Sequence, residues 1–141
     1  MRVFLDTNLL LDVLLNRAAF VGDSQGVIAG CDSRGDEMFV AWHGLATAYY
    51  LLKKGRTESL ALAEVDKILT WARVASVKDA DARKARASGF GDFEDALQAV
   101  SALACQADWI VTRNTTDFIR SSVPVITPAE FVLKFPAPAN P

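Results

Sequence analysis

The sequence has few of the residues that carry nucleophilic or soft-metal chemistry. It contains one histidine, His43, and two cysteines, Cys31 and Cys105, which lie far apart without the spacing of a metal-binding pair. No glycine-rich phosphate loop, paired cysteine set or serine nucleophile elbow is recognised. Two isolated thiols indicate a reducing cytoplasm rather than a disulfide framework. These absences argue against acyl transfer through a cysteine or serine nucleophile.

Long apolar runs are also missing. No stretch approaches the roughly 18 apolar residues that a membrane-spanning helix needs, and Met1-Arg2 leads directly into a strand pattern rather than a signal peptide. We therefore expect a cytoplasmic protein without membrane contact. The formal net charge of −2 gives the chain no basic field to attract nucleic acid. This counts only weakly against a nucleic-acid partner, because divalent cations neutralise clustered carboxylates locally.

Strand and helix patterns alternate along the 141 residues, a length that fits one domain. Apolar runs predict strands at 3–5, 38–41, 74–77, 109–111 and 123–126, the last of them at a sheet edge. Helical spacing predicts helices at 8–16, 22–33, 42–54, 58–72, 79–87, 93–107 and from 128. This alternation predicts an α/β fold whose parallel sheet is covered on both faces. We expect one domain over 1–135 and a frayed tail at 136–141.

Two of the predicted helices have strong start signals. Thr127-Pro128-Ala129-Glu130 has the capping-box pattern, with proline at the first helical position. Asp92 is placed to cap the most strongly periodic helix of the chain. The apolar face of that helix is predicted to contain Phe93, Ala96, Leu97, Val100, Leu103, Ala104 and Ala107.

Acidic residues occur at three separate element ends. Asp6 follows the first strand, Asn114 and Asp117 lie in the loop after the fourth strand, and Asp95 lies in the first turn of the helix that begins after Asp92. Ligands of parallel sheets bind at the carboxyl ends of the strands. If the first and fourth strands are neighbours, these side chains converge. Oxygen donors of this kind favour Mg²⁺ or Mn²⁺, which support phosphodiester hydrolysis.

Several of these residues have an equally simple structural interpretation. Asp92 is better explained as a helix N-cap than as a metal ligand. Asp95 is explained equally well as a first-turn acid that interacts with the helix dipole. Asn114 is suited to cap a short turn in which Asp117 is the first-turn acid. The sequence leaves these alternatives open.

The remaining candidates differ in how well structure alone explains them. Asp6 is the candidate that a purely structural role explains least well. Its structural alternative is an Asx turn with Asn8. His43 lacks companions at ligand spacing and is interpreted as a structural or surface residue. Glu94 is expected to be exposed to solvent. A phosphatase with an aspartyl nucleophile needs a second aspartate where Asn8 stands, so that class ranks low.

Three blocks of the sequence resemble the PIN-domain family of metal-dependent ribonucleases, which includes the VapC-type toxins of toxin–antitoxin pairs. The blocks are Val3-Phe4-Leu5-Asp6-Thr7-Asn8, Asp92-Phe93-Glu94-Asp95-Ala96-Leu97-Gln98, and Ile110-Val111-Thr112-Arg113-Asn114 with Asp117-Phe118. The resemblance covers nearly the whole chain. It implies a single three-layer α/β/α domain with a parallel sheet of about five strands.

The resemblance also implies roles for particular residues. Asp6, Asp95 and Asp117 are expected to bind Mg²⁺ or Mn²⁺, and Asn114 to join them in the catalytic site at a position where many members have aspartate. Thr47 stands where the family usually has a glutamate on the helix after the second strand, as in a branch with a small polar residue there. Thr47 offers a hydroxyl without charge. Metal affinity should therefore fall unless another acid, among Asp92, Glu94 and Asp117, compensates.

Two functions follow from this resemblance. The first is a metal-dependent endoribonuclease that hydrolyses RNA and acts as the toxin of a toxin–antitoxin pair. For such a toxin, the family resemblance implies a homodimer and a small antitoxin partner. The alternative is a catalytically impaired PIN module that binds RNA or a protein partner, an interpretation motivated by Thr47.

Overall fold

Five parallel strands form one sheet in the computed structural model, which describes residues 1–139. The strands are β1 (Arg2–Leu5), β2 (Glu37–Val40), β3 (Ala72–Val74), β4 (Trp109–Val111) and β5 (Val125–Ile126). Their order is β3-β2-β1-β4-β5, with every neighbouring pair parallel. The predicted α/β class and parallel sheet are confirmed. Because β1 lies beside β4, the loops that follow these strands meet at one edge of the sheet.

Helices cover both faces of this sheet. They are α1 (Thr7–Leu14), α2 (Val21–Arg34), α3 (Trp42–Lys53), α4 (Glu58–Trp71), α5 (Asp79–Ala87), α6 (Phe93–Ala104) and α7 (Pro128–Lys134), with a 3₁₀ turn at Thr115–Phe118. Side chains alternate along β1. Val3 and Leu5 therefore join the core beneath α2 and α7, while Phe4 joins a second core beneath α6. The result is the expected three-layer α/β/α arrangement.

Two predicted strands differ from the observed ones. The third was expected at 74–77, but α4 runs directly into Ala72–Val74, and Ala72 pairs with Met38. Val77 is 44% exposed, so its apolar character misled the prediction. The last strand shrinks from 123–126 to Val125–Ile126, because Pro124 has no N–H to donate. Its predicted position at the sheet edge is confirmed.

The predicted apolar face of α6 is wrong. Phe93 and Leu103 are 53% and 49% exposed, although Ala96 is buried as expected. The helix turns a face of small and polar residues to the core instead, formed by Ala96, Gln98, Ala99, Ser101 and Ala102. Small side chains let α6 lie close to the sheet. This close packing brings Gln98 to the strand ends, where it finds hydrogen-bond acceptors.

Helix caps and chain ends follow the sequence signals more closely. The capping box between Thr127 and Glu130 forms at the start of α7, and Thr57 caps α4. Residues 136–139 of the predicted tail adopt neither helix nor strand. Positions 140 and 141 of that tail lie outside the described residues.

The two cysteines lie apart in the folded protein. Cys31 and Cys105 are both buried, belong to different core clusters and form no disulfide. Over residues 1–139, no helix combines the length and apolar character needed to cross a membrane.

An ion pair fixes the loop after β4 to α1. Asp12 is fully buried on α1 and accepts two hydrogen bonds from Arg113, from Nε at 2.9 Å and Nη2 at 3.1 Å. The Arg113 guanidinium also lies 3.9 Å from the ring centroid of Phe20. The segment Gly22-Asp23-Ser24-Gln25-Gly26 has the glycine and serine spacing of a nucleophile elbow. Ser24, however, lies inside α2 and donates to the Asp12 carboxylate, so no elbow forms there. Arg113 is therefore a structural residue, and it anchors the segment that continues to Asp117.

Removing Arg113 should destabilise the protein strongly. We expect Arg113→Met to lower the free energy of unfolding by about 3 kcal/mol, because it leaves the Asp12 carboxylate buried without its main partner. Urea denaturation measures this loss. Arg73→Met is the matched control, since the Arg73 side chain is 70% exposed and should cost less than about 0.5 kcal/mol. Similar small losses in both variants would contradict the assignment.

Candidate metal centre

Asp6 lies at the carboxyl end of β1, where the chain turns into α1. Its backbone N–H donates to Val111 O at 3.1 Å, which extends the pairing with β4 by one residue. Its carbonyl accepts from Leu9 N at 3.0 Å and so begins α1. The side chain makes no capping hydrogen bond to that helix. The carboxylate contacts other elements, and a polar contact with the Asn8 backbone also lowers its pKa, as the Asx-turn alternative requires.

Two side chains hold the Asp6 carboxylate. Thr112 Oγ1 donates to Oδ2 at 2.7 Å, and Gln98 Nε2 donates to Oδ1 at 2.7 Å. Asp6 is only 2% exposed. Burial raises the pKa of Asp6, and the hydrogen bond from Thr112 partly offsets this rise. Each carboxylate oxygen accepts one of these bonds and keeps a lone pair for a further ligand.

The first turn of α6 gathers three acids beside Asp6. Asp92 Oδ1 accepts hydrogen bonds from the N–H groups of Glu94 at 2.8 Å and Asp95 at 3.2 Å, so the predicted N-cap is confirmed. One carboxylate oxygen from each of Asp92, Glu94 and Asp95 lies within 4.8 Å of the other two. The cap therefore fixes the helix start in a position that clusters negative charge.

The pKa of Asp95 reflects this clustering. It is raised from 3.8 to about 7, first by burial and then by the negative charges of Glu94, Asp92, Asp6 and Asp117. Each named carboxylate disfavours a charge on Asp95 through Coulomb repulsion. The acids predicted from separate parts of the sequence thus interact electrostatically in the folded protein.

Asp117 reaches the cluster from the 3₁₀ turn after β4. With Asp92 and Asp95 it lines a cavity of about 380 Å³, whose wall also includes Phe90 and Arg120. Asn114 is exposed at the start of this turn and makes no side-chain capping bond. Its backbone N–H donates to Thr112 Oγ1 at 3.1 Å. The fold thus brings Asp6, Asp95 and Asp117 to one edge of the sheet, with Asn114 beside them.

One neighbour of the cluster, Gln98, received no role from the sequence, and another, Glu94, was expected to be exposed. Gln98 is fully buried and reaches Asp6, Thr7 and Glu94 with its amide nitrogen. The sequence signal that could have identified Gln98 is a glutamine one turn after Glu94, on a helix face otherwise formed by alanines and serine. Glu94 is half-buried instead of fully exposed, and its Oε1 lies 3.2 Å from His43 Nε2.

No carboxylate is available on α3, the helix after β2. The sequence from Trp42 to Lys53 contains no aspartate or glutamate. The Thr47 hydroxyl donates to the carbonyl oxygen of His43, one turn earlier, at 3.1 Å. The position at which the PIN resemblance calls for glutamate is therefore occupied by a hydroxyl bonded within its own helix.

The donor set matches a hard divalent cation. Carboxylate oxygens dominate it, as Mg²⁺ and Mn²⁺ prefer. Burial is the first cause of the raised pKa of Asp95, and the negative charges of the neighbouring acids raise it further. A divalent ion at this edge would relieve the repulsion.

Asp95→Asn should stabilise the metal-free protein at high pH. The folded state holds the Asp95 proton up to about pH 7, whereas the unfolded chain releases it near the ordinary value of 3.8. Stability therefore falls as pH rises from about 4 through about 7. Because Asp95 is partly exposed, we expect the variant to gain about 1–2 kcal/mol near pH 8 and almost nothing near pH 4.

Urea denaturation in EDTA at the two pH values tests this prediction. Asp66→Asn, on the exposed side of α4, is the matched control and should show no such gain. A loss of stability in Asp95→Asn near pH 8, or a gain that does not depend on pH, would contradict the repulsion among these acids.

Comparison with known proteins agrees with the fold. The crystal structure of VapBC2 from Rickettsia felis bound to a DNA fragment from their promoter gives a TM-score of 0.70 at 18% identity, covering 90% of this chain and 98% of the matched chain. The structure of VapBC-1 from nontypeable Haemophilus influenzae gives 0.69 at 17% identity, covering 92% and 99%. Both establish a similar fold. No curated protein matches the sequence. The family model of the PIN domain matches residues 2–116, from β1 through β4 and into the turn that follows, so this chain belongs to the PIN-domain family.

Proposed function

We propose that the protein is a Mg²⁺- or Mn²⁺-dependent endoribonuclease. The observation that carries this proposal is the convergence of Asp6, Asp95 and Asp117 from three elements on one edge of the sheet. Burial first, and then the charges of the neighbouring acids, raise the pKa of Asp95 there to about 7. A buried carboxylate beside unneutralised acids is costly without a cation. Membership of the PIN-domain family supports nuclease chemistry at this edge.

Asp6, Asp95 and Asp117 would hold the ion, and Asn114 would complete the site beside them. A divalent ion bound there lowers the pKa of a water molecule and stabilises negative charge on the phosphate. Thr112 and Gln98 hold the Asp6 carboxylate in one orientation through their two hydrogen bonds. Such outer partners keep a ligand oriented before the ion arrives.

The cavity beside the acids gives an RNA strand room to approach. It is open to solvent and has a volume of about 380 Å³. Arg120 in its wall offers a positive charge to a phosphate of the backbone, and Phe90 offers an aromatic surface.

We further propose that the protein is the toxin of a toxin–antitoxin pair. The two similar structures are VapBC proteins, which supports an antitoxin as the protein partner of this chain. A homodimer in the cytoplasm belongs to the same proposal. The domain responsible extends over 1–135.

A second candidate is a PIN module that binds RNA or a protein without cleaving it. The observation that favours it is α3, which carries Thr47 and no acid. A site with fewer carboxylates binds a divalent cation less tightly.

Cleavage of RNA distinguishes the two candidates. We expect the protein to cleave single-stranded RNA with Mg²⁺ or Mn²⁺, to stop in EDTA and to recover when Mn²⁺ is restored. Asp6→Asn should reduce cleavage at least about 100-fold, because it removes a charged ligand of the ion. Its circular dichroism spectrum should match that of the wild type. Equal activity in Asp6→Asn would exclude the assignment, and binding of RNA without cleavage by the wild type would favour the module.

Thr112→Val tests the support of Asp6 without changing charge. The substitution preserves shape and removes the hydroxyl that donates to Asp6 Oδ2. We expect Mn²⁺ affinity, measured by calorimetry, to fall about 10- to 100-fold. Thr70→Val is the matched control, since Thr70 is exposed on α4 and its hydroxyl donates to Lys67 O. An unchanged affinity in Thr112→Val would show that this hydrogen bond does not prepare the site.

A further inference from the structure

We propose that Glu94 supplies the fourth carboxylate of the metal site in place of the acid that α3 lacks, and that His43 positions it. The inference rests on the proposed metal-dependent function. It assigns a metal-binding role to a residue of α6 and a positioning role to the only histidine of the chain.

A continuous chain of contacts connects α3 to Asp6 through Glu94. His43 Nε2 lies 3.2 Å from Glu94 Oε1, and the same oxygen accepts from Gln98 Nε2 at 2.9 Å. Gln98 Nε2 also donates to Asp6 Oδ1 at 2.7 Å. The Glu94 side chain is thus held between α3 and the acid at the end of β1, although its backbone belongs to α6.

The position of His43 on α3 explains why Glu94 can replace an acid at position 47. Residues four apart lie on the same side of a helix, so His43 and Thr47 occupy one side of α3. The Thr47 hydroxyl donates to the backbone carbonyl of His43, one turn earlier, at 3.1 Å. A carboxylate bonded to His43 therefore lies beside the side of α3 from which a glutamate at position 47 would extend.

The buried amide of Gln98 gives independent evidence that this pocket takes a cation. Three oxygens, from Asp6, Thr7 and Glu94, lie within 2.9 Å of its nitrogen, which carries only two hydrogens. Its own oxygen Oε1 is buried and has no hydrogen-bond partner among residues 1–139. The Thr7 hydroxyl can itself donate, but the carboxylate oxygens of Asp6 and Glu94 only accept, so two carboxylates converge on one amide nitrogen. A cation satisfies such a set of oxygens better than another neutral donor does.

A purely structural role explains Glu94 less completely. An acid in the first turn stabilises a helix through its dipole, but Asp92 and Asp95 already lie at that helix end. The dipole also requires no contact with His43 or Gln98. Instead, one carboxylate oxygen of Glu94 lies within 4.8 Å of a carboxylate oxygen on each of two other acids, whose like charges repel it.

Mn²⁺ binding to purified full-length variants tests the proposal. We expect Glu94→Gln to weaken Mn²⁺ binding about 10- to 100-fold by calorimetry, and to reduce the rise in melting temperature that Mn²⁺ produces. Glu64→Gln is the matched control, because Glu64 pairs with Lys67 on α4, away from the site, and it should bind like the wild type.

The double variant Thr47→Glu/Glu94→Gln supplies the decisive comparison. Thr47 is exposed, so a glutamate fits there without disturbing the core. If Glu94 takes the place of the α3 acid, the double variant should regain at least about tenfold of the lost affinity. Thr47→Asp/Glu94→Gln provides a second variant with a shorter side chain. Failure of both to recover Mn²⁺ affinity would overturn the replacement.

Conservative and non-conservative changes at His43 separate positioning from packing. His43→Gln keeps a side-chain N–H that can reach Glu94 and should retain most Mn²⁺ affinity. His43→Leu removes that donor and should weaken binding several-fold. Equal affinities in these two variants would overturn the positioning role.

The wild type distinguishes failure of the inference from failure of the function. If the wild type binds Mn²⁺ and cleaves RNA while Glu94→Gln is unchanged in both, only the inference is overturned. If the wild type neither binds Mn²⁺ nor cleaves RNA, the proposed function fails and the inference fails with it.

Discussion

A carboxylate buried at the end of a central strand requires hydrogen-bond donors from its surroundings. Asp6 obtains them from Thr112, which follows β4, and from Gln98 on α6. The first donor depends on the strand order, because only a β4 adjacent to β1 brings Thr112 to the Asp6 carboxylate. The geometry of the acidic edge thus follows from the hydrogen bonds that the buried Asp6 carboxylate requires. The packing of α6 through its small side chains is part of the same requirement.

The remaining acids are arranged around Asp6 by ordinary local structure. Asp92 caps α6 through backbone N–H groups, which fixes the turn that carries Glu94 and Asp95. The ion pair between Arg113 and Asp12 anchors the loop that leads to Asp117. Neither device is chemically unusual. Their combination concentrates negative charge in one place, and the raised pKa of Asp95 records the electrostatic cost.

The sequence was sufficient to predict the alternation of elements and the parallel sheet. The approach of Asp6 to the loop after β4 was predicted only on the condition that β1 and β4 are neighbours, which the structure shows. These features follow from short-range patterns and from the rule that strand ends in parallel sheets meet at one edge. The core face of α6 was predicted wrongly, since periodicity measures hydrophobicity, whereas this helix packs through small residues and Gln98. The contact between His43 and Glu94 was also missed, because it joins residues on different helices that only the tertiary fold brings together.

The internal use of Arg113 has a consequence for the order in which ligands associate. Its guanidinium is committed to Asp12 and Phe20, so it adds no free positive charge for an incoming polyanion. A phosphate backbone that approaches the ion-free edge meets the carboxylates of Asp95 and Asp117 and is repelled. Under the proposed nuclease function, with Arg120 as a positive charge in the cavity wall, association with a nucleic acid at this edge would be favoured by earlier occupancy by the cation. The local supply of divalent ions would then set how readily the protein engages any polyanion.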